Sequence, residues 1–243
     1  MPEIAAHWRI DRPAEGFTTS FLASNPERPV RTFVPTDYQP RYPYPLVVLF
    51  HGHGGNEEQS SRLAPQMSRR NFISIALRGS RTVERRADGR PGYAWDHKSS
   101  VEEYLLAAVE QTRQKYHVHS ERVYLVGVNE GAEVAFRVGL SLADRVAGIV
   151  SLNGNMPRPN GAPLFQMNAV RRLPVFIGHG SDNPIVPLSA ARKDSRLLYA
   201  AGATVRFQSY PTTHRLHPNM LRDVNAWIIG RVNKESETPV FVD

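Results

Sequence analysis

From Leu46 to Arg231 the chain alternates between two spacings of apolar residues. Short apolar runs at Leu46–Phe50, Phe72–Leu77, Val123–Val126, Val146–Leu152 and Val175–Gly178, and an alternating run at Thr204–Tyr210, read as strands. Most alternate with helically spaced segments at Ser61–Arg69, Val101–Tyr116, Glu130–Leu142, Leu188–Ala201 and Met220–Arg231. Ser100 is the expected N-cap of the second of these, with Glu103 placed to close a capping box. A strand that is apolar at nearly every position must be covered on both faces. The pattern therefore predicts an α/β fold with a mostly parallel central sheet and helices on both sides.

The first 44 residues are rich in Pro and Arg and read as an N-terminal extension with one short strand at Arg31–Val34. The segment from Lys234 is polar and reads as a loose tail. With no repeat and no low-complexity stretch, residues 1–243 are expected to form a single domain.

Composition narrows the chemistry. There is no cysteine, which removes thiolate nucleophiles, disulfides and cysteine–zinc sites and makes a cytoplasmic location the expectation. No run approaches the ~18 apolar residues of a membrane span, and the start of the chain has no signal-peptide core. The net charge of +7 is carried mostly by arginine, with only Lys98, Lys115, Lys193 and Lys234 as lysines. Arg69, Arg70, Arg78, Arg81, Arg85, Arg86 and Arg90 lie close together in sequence. They could form an anion-binding surface or a solvated face. No zinc-finger, helix-turn-helix or RNA-binding motif accompanies them, so nucleic acid is not an expected partner.

The chemistry-bearing positions follow strands. Gly127-Val128-Asn129-Glu130-Gly131 joins a strand to a helix with the spacing of Gly-x-Ser-x-Gly, where small neighbours make room for a sharp turn. His51-Gly52-His53-Gly54-Gly55-Asn56 follows the first apolar strand, and its backbone N–H groups could face a developing oxyanion. The N–H of Glu130 opens the elbow helix and offers a second donor, as the helix dipole favours. Asp182 and Asn183 follow a later strand, and His214 follows the last. The order elbow, acid, histidine is that of α/β-hydrolases. His51, His53, His179 and His214 are imidazoles of the kind that bind metals, but no cluster of acids accompanies them.

On these residues the chain resembles the phospholipase/carboxylesterase branch of the α/β-hydrolases, with kinship to dienelactone hydrolases and polyhydroxybutyrate-depolymerase-like esterases. The likeness runs from Leu46 to about Ile229 and includes Gly92-Tyr93-Ala94-Trp95-Asp96, which looks like that branch's Gly-x-x-Trp-x-Asp loop. The resemblance implies carboxylic-ester substrates, no cofactor, no metal and a Ser-Asp-His triad. It places the nucleophile at Asn129, the base at His214 and the acid at Asn183, with Asp182 one residue earlier. It also implies oxyanion donors at His53 and Glu130, and ligand contacts from His51, Gly52, Gly54 and Trp95.

The chain departs from that pattern at the nucleophile. A carboxamide has no ionisable O–H or S–H, so His214 cannot draw an attacking anion from Asn129. Neither Ser151 nor Ser181 has a helix N-terminus behind it, and His217 reads as a packing residue. Three readings follow. The chain is a hydrolase-family protein that keeps an ester or acyl ligand pocket but has lost acyl-enzyme chemistry. Alternatively, it hydrolyses esters with water activated by His214 or Glu130, or carries Asn129 in place of an active enzyme's nucleophile. Lastly, it binds anionic surfaces through Arg69–Arg90.

Overall fold

A computed structural model describes residues 16–85, 89–96, 101–157 and 170–237. Ser100, Lys98, Arg86, the first 15 residues and the last six lie outside these. Among the described residues, ten strands and six helices follow in chain order: β1 Gly16–Leu22, β2 Asn25–Val34, β3 Tyr44–Phe50, α1 Glu57–Ser61, α2 Ala64–Met67, β4 Ile73–Leu77, β5 Arg81–Arg85 and β6 Pro91–Ala94. Then come α3 Val101–Lys115, β7 Val118–Val128, α4 Glu130–Ser141, β8 Gly148–Leu152, β9 Pro174–Gly180, α5 Leu188–Ala200, β10 Thr204–Tyr210 and α6 Pro218–Glu237.

Eight strands make one sheet in the order β1-β2-β4-β3-β7-β8-β9-β10. Every pair from β4 to β10 is parallel, and β1–β2 and β2–β4 are antiparallel. The central strands bury both faces because their alternate residues enter two different cores. Leu46, Val48 and Phe50 of β3 pack with α3 and α4, whereas Val47 and Leu49 pack with α2 and α6. This is the α/β-hydrolase architecture, and it delivers the C-terminal ends of β3, β7, β8, β9 and β10 to one edge of the sheet.

Several boundaries differ from those the pattern predicts. The N-terminal extension holds a hairpin, β1–β2, joined to β4 through Val30↔Leu77 to Phe33↔Ser74. The sequence hides it because β1 is half exposed and β2 contains Pro26 and Pro29, which mute a strand signal. The expected helix at 61–69 is two short helices, the first capped by Asn56, whose Oδ1 accepts the Gln59 N–H, and the second begun by Ala64-Pro65. Where a loose tail from Lys234 is expected, α6 continues to Glu237, and the rest of that segment lies outside the described residues. The β5–β6 hairpin lies outside the main sheet and is not anticipated by the pattern. Among the described residues no helix is long and apolar enough to cross a membrane.

Candidate active site

The site is built around a strained turn. Asn129 links β7 to α4 with φ 53° and ψ −117°, a conformation that side-chain-bearing residues rarely hold. The turn is tied on both sides: the Asn129 N–H donates to Leu152 O at 2.9 Å, and Ala132 N–H donates to Asn129 O at 3.0 Å. Neighbouring glycines make it possible. A Cβ on Gly127 would overlap the Gly131 carbonyl, and one on Gly131 would overlap the Phe50 carbonyl. The elbow is thus pressed against the end of β3, where Gly52 would place a Cβ 3.1 Å from Asn129 Cβ.

The Asn129 carboxamide is held at the mouth of this turn with its Oδ1 buried and unbonded. Among the described residues it makes no hydrogen bond to His214. The next residue, Glu130, opens α4. Its Oε2 is sealed from solvent 3.6 Å from Nδ1 of the exposed His53 imidazole. One turn on, burial raises the Glu133 carboxyl pKa, helped by the neighbouring Glu130 charge. Both glutamates line a small hollow beside Trp95 and Arg137.

The loop after β3 is zipped to β6, with Gly54 N–H donating to Tyr93 O at 3.0 Å and Tyr93 N–H to Gly55 O at 2.8 Å. Two residues expected to touch a ligand also hold the scaffold, and His51 lines the elbow cleft as well. The His51 ring is buried, accepts the Gly79 N–H on Nε2 at 2.9 Å and lies 4.9 Å from the Trp95 ring. Burial pushes its pKa down to about 4, so it is neutral. Trp95 is 3% exposed and donates its indole N–H to His51 O at 2.8 Å, so it buttresses the loop from behind. Sequence position places both residues on the loop but cannot say which way the rings turn. Below them, Glu57 and Arg78 form a largely buried ion pair, Nε to Oε2 2.8 Å, that fastens α1 to the end of β4.

His214 follows β10. Its Nδ1 lies 3.1 Å from Asn183 Oδ1, and that oxygen also accepts the Ile185 and Val186 N–H groups at 3.1 Å each. Three donors around one atom identify it as the oxygen of the amide. Asp182 is turned outward and accepts from Ser181 Oγ at 3.1 Å. Of the two candidates for the acid position, Asn183 is therefore the residue that meets His214. Burial lowers the His214 pKa, and the neighbouring His179 lowers it further.

Sequence reasoning missed two supports. Asn153, fully buried at the end of β8 with φ 58°, donates to Arg215 O and accepts the Gly180 N–H, each at 2.9 Å, so it ties the acid loop to the histidine loop. The Asn-Gly pair at a strand's C-terminal end was the available signal. His179 sits beneath Asn183 and donates through Nε2 to Val186 O at 2.8 Å. The sequence presents it as one of four imidazoles able to bind a metal; among the described residues no cluster of three metal-ligating groups exists.

A cleft of about 150 Å³ opens at the elbow, lined by Gly52, His53, Asn129, Val128, Leu63 and Leu216. Its walls are apolar on the leucine side and polar at the turn, which suits an acyl or ester group. Three of the arginines of 69–90 are paired with acids. Arg78 pairs with Glu57, Arg90 with Glu58 and Arg70 with Asp37.

The phospholipase/carboxylesterase family model matches residues 39–229. Acyl-protein thioesterase 1 of Debaryomyces hansenii is 28% identical over 116 residues, which are 47% of this chain and 49% of that protein. A putative esterase of Nocardia uniformis, NocK, is 26% identical over 161 residues, 62% of this chain and 44% of its own. The chain thus matches about half the length of these curated relatives. Among solved structures, the Bacillus cereus carboxylesterase superposes with TM-score 0.66 at 20% identity, covering 86% of this chain and 96% of that one. TT1662 from Thermus thermophilus gives 0.66 at 21%, covering 93% and 100%. At these identities the superpositions speak for the fold.

Proposed function

The chain belongs to the phospholipase/carboxylesterase family of α/β-hydrolases, and from that premise we propose that it binds a small acyl or ester ligand at the elbow without forming an acyl-enzyme. The observation that carries this reading is Asn129 itself, held at φ 53°, ψ −117° at the turn between β7 and α4 with no ionisable group on its side chain. The ligand carbonyl would sit in the cleft beside Gly52, with the N–H groups of His53 and Glu130 as its oxyanion donors. The names of the relatives, thioesterase and esterase, favour acyl groups as the ligand class.

Water activation by His214 is disfavoured by its partner. A neutral amide on Nδ1 orients the ring but does not stabilise the imidazolium that base catalysis creates. In subtilisin, removing the triad serine costs on the order of 10⁶-fold in kcat, which sets the scale of the loss expected here. Residual acceleration from preorganised donors is roughly 10³–10⁴ over water.

The test is hydrolysis of a short-chain aryl ester panel by the protein, by Asn129→Ser, and by Asn129→Ser combined with His214→Ala. The protein itself is expected to show no turnover beyond that residual, and Asn129→Ser to gain turnover that disappears with His214→Ala. Turnover at ordinary enzyme rates by the unaltered protein, surviving rigorous purification, would overturn the proposal.

A further inference from the structure

The elbow cleft does not end at its leucines. Leu63 and Leu216, which wall it, also wall a second cavity of about 330 Å³ between α2 and the start of α6, so the two adjoin across these leucines. Leu221 contributes a buried apolar surface there, and Arg222, His217 and Gln66 are its polar members. The path from Asn129 thus runs along aliphatic side chains and reaches a guanidinium.

Arg222 has no carboxylate partner among the described residues, and its side chain bonds to the neutral Asn219 Oδ1. The adjacent acid, Asp223, is occupied by the Tyr210 hydroxyl at 2.6 Å. His217 accepts the Asn219 N–H on Nδ1 at 3.2 Å, which leaves Nε2–H as a further donor.

We infer that the second cavity is a subsite for the far end of an anion-tipped acyl chain: the ligand is a half-ester of a dicarboxylic acid, its ester carbonyl at the elbow, its methylenes along Leu63 and Leu216 and its free carboxylate on Arg222. The inference rests on the elbow cleft being the ester site. A plain alkyl chain would set a methyl group against the guanidinium and gain nothing from it. A carboxylate there forms a charge-assisted, bidentate pair.

Isothermal titration calorimetry of the whole protein tests this with monomethyl succinate, adipate and suberate against methyl butanoate, hexanoate and octanoate. Because Arg222 is exposed, the gain is modest and salt-sensitive. At one chain length the half-ester is expected to bind about 5- to 10-fold tighter than its neutral partner at low ionic strength, with the ratio shrinking as salt is added. Arg222→Gln should bring that ratio to about one, and Arg222→Lys should retain part of it. Equal affinities at every length, or a preference that survives Arg222→Gln, overturns the subsite while leaving the elbow cleft intact. If no ester binds at all, neutral or anionic, the elbow reading falls and the subsite with it. A thermal melt of Arg222→Gln matching that of the parent protein confirms that the side chain, and not the fold, was removed.

Discussion

Oδ1 of Asn183 stands 3.1 Å from Nδ1 of His214 and simultaneously accepts the Ile185 and Val186 N–H groups, so the acid position is occupied by a neutral acceptor in the geometry of a carboxylate. Every atom facing that oxygen is a donor, which an aspartate would satisfy equally well. What the amide lacks is charge.

Asn183→Asp is therefore expected to raise the His214 pKa from its present depressed position, where burial and then His179 hold it down. A proton NMR titration of the ring reads the shift directly. In the Asn129→Ser background the same change should raise ester turnover about 10²- to 10⁴-fold, the range set by an aspartate–histidine pair. An unmoved titration would mean that the carboxylate turns away from the ring.

Asn129 keeps a backbone conformation that glycine adopts at little cost. Its carboxamide oxygen makes no bond that would repay the strain. Asn129→Gly should stabilise the fold by about 1 kcal/mol, the low end of the cost of such a conformation. Urea unfolding checks this through the midpoint at unchanged slope. A destabilised variant would show that the Asn129 side chain contributes packing that outweighs the strain.

His51 makes stability fall in acid. The folded protein holds the buried ring neutral down to about pH 4, whereas an unfolded chain protonates it near 6.5. Above about pH 6.5 nothing is lost; between 6.5 and 4 the unfolded state binds the extra proton and stability declines by about 3 kcal/mol in all. His179 and His214, also depressed by burial, act in the same direction. Urea midpoints measured from pH 7.5 to 4 should drop steadily, and His51→Gln should flatten the slope even though it lowers the starting stability. An equal slope in the variant would place the acid sensitivity elsewhere.

Much of this was legible from order and spacing. The apolar runs at 46–50 and 72–77 could only be strands covered on both faces, and that demand implies the parallel sheet. The Gly127–Gly131 spacing marked a strand-to-helix turn, and its chemistry could be judged from Asn129 alone, because no fold gives a carboxamide an ionisable proton. The hairpin at 16–34 was hidden because half of its surface stays in water and its prolines interrupt the pattern.

The orientation of side chains belongs to the tertiary structure. Asp182 and Asn183 are adjacent and equally placed in sequence, and only the turn of the loop after β9 decides that Asn183 meets His214. His51 and Trp95 sit on the expected loops with their rings buried, His51 lining the elbow cleft as well, a choice made by packing against Phe50 and Gly79. Leu63, Leu216 and Arg222 share no motif. They come together because α2 and α6 cover the same face of the sheet, and a sequence read one segment at a time contains no record of which helices will be neighbours. Local periodicity and the chemistry of one residue were enough to give the sheet, the order of the site loops and a non-ionisable carboxamide at the elbow. What only the tertiary structure decided was the acid partner, the buried scaffold and the second cavity, since each depends on contacts between segments far apart in the chain.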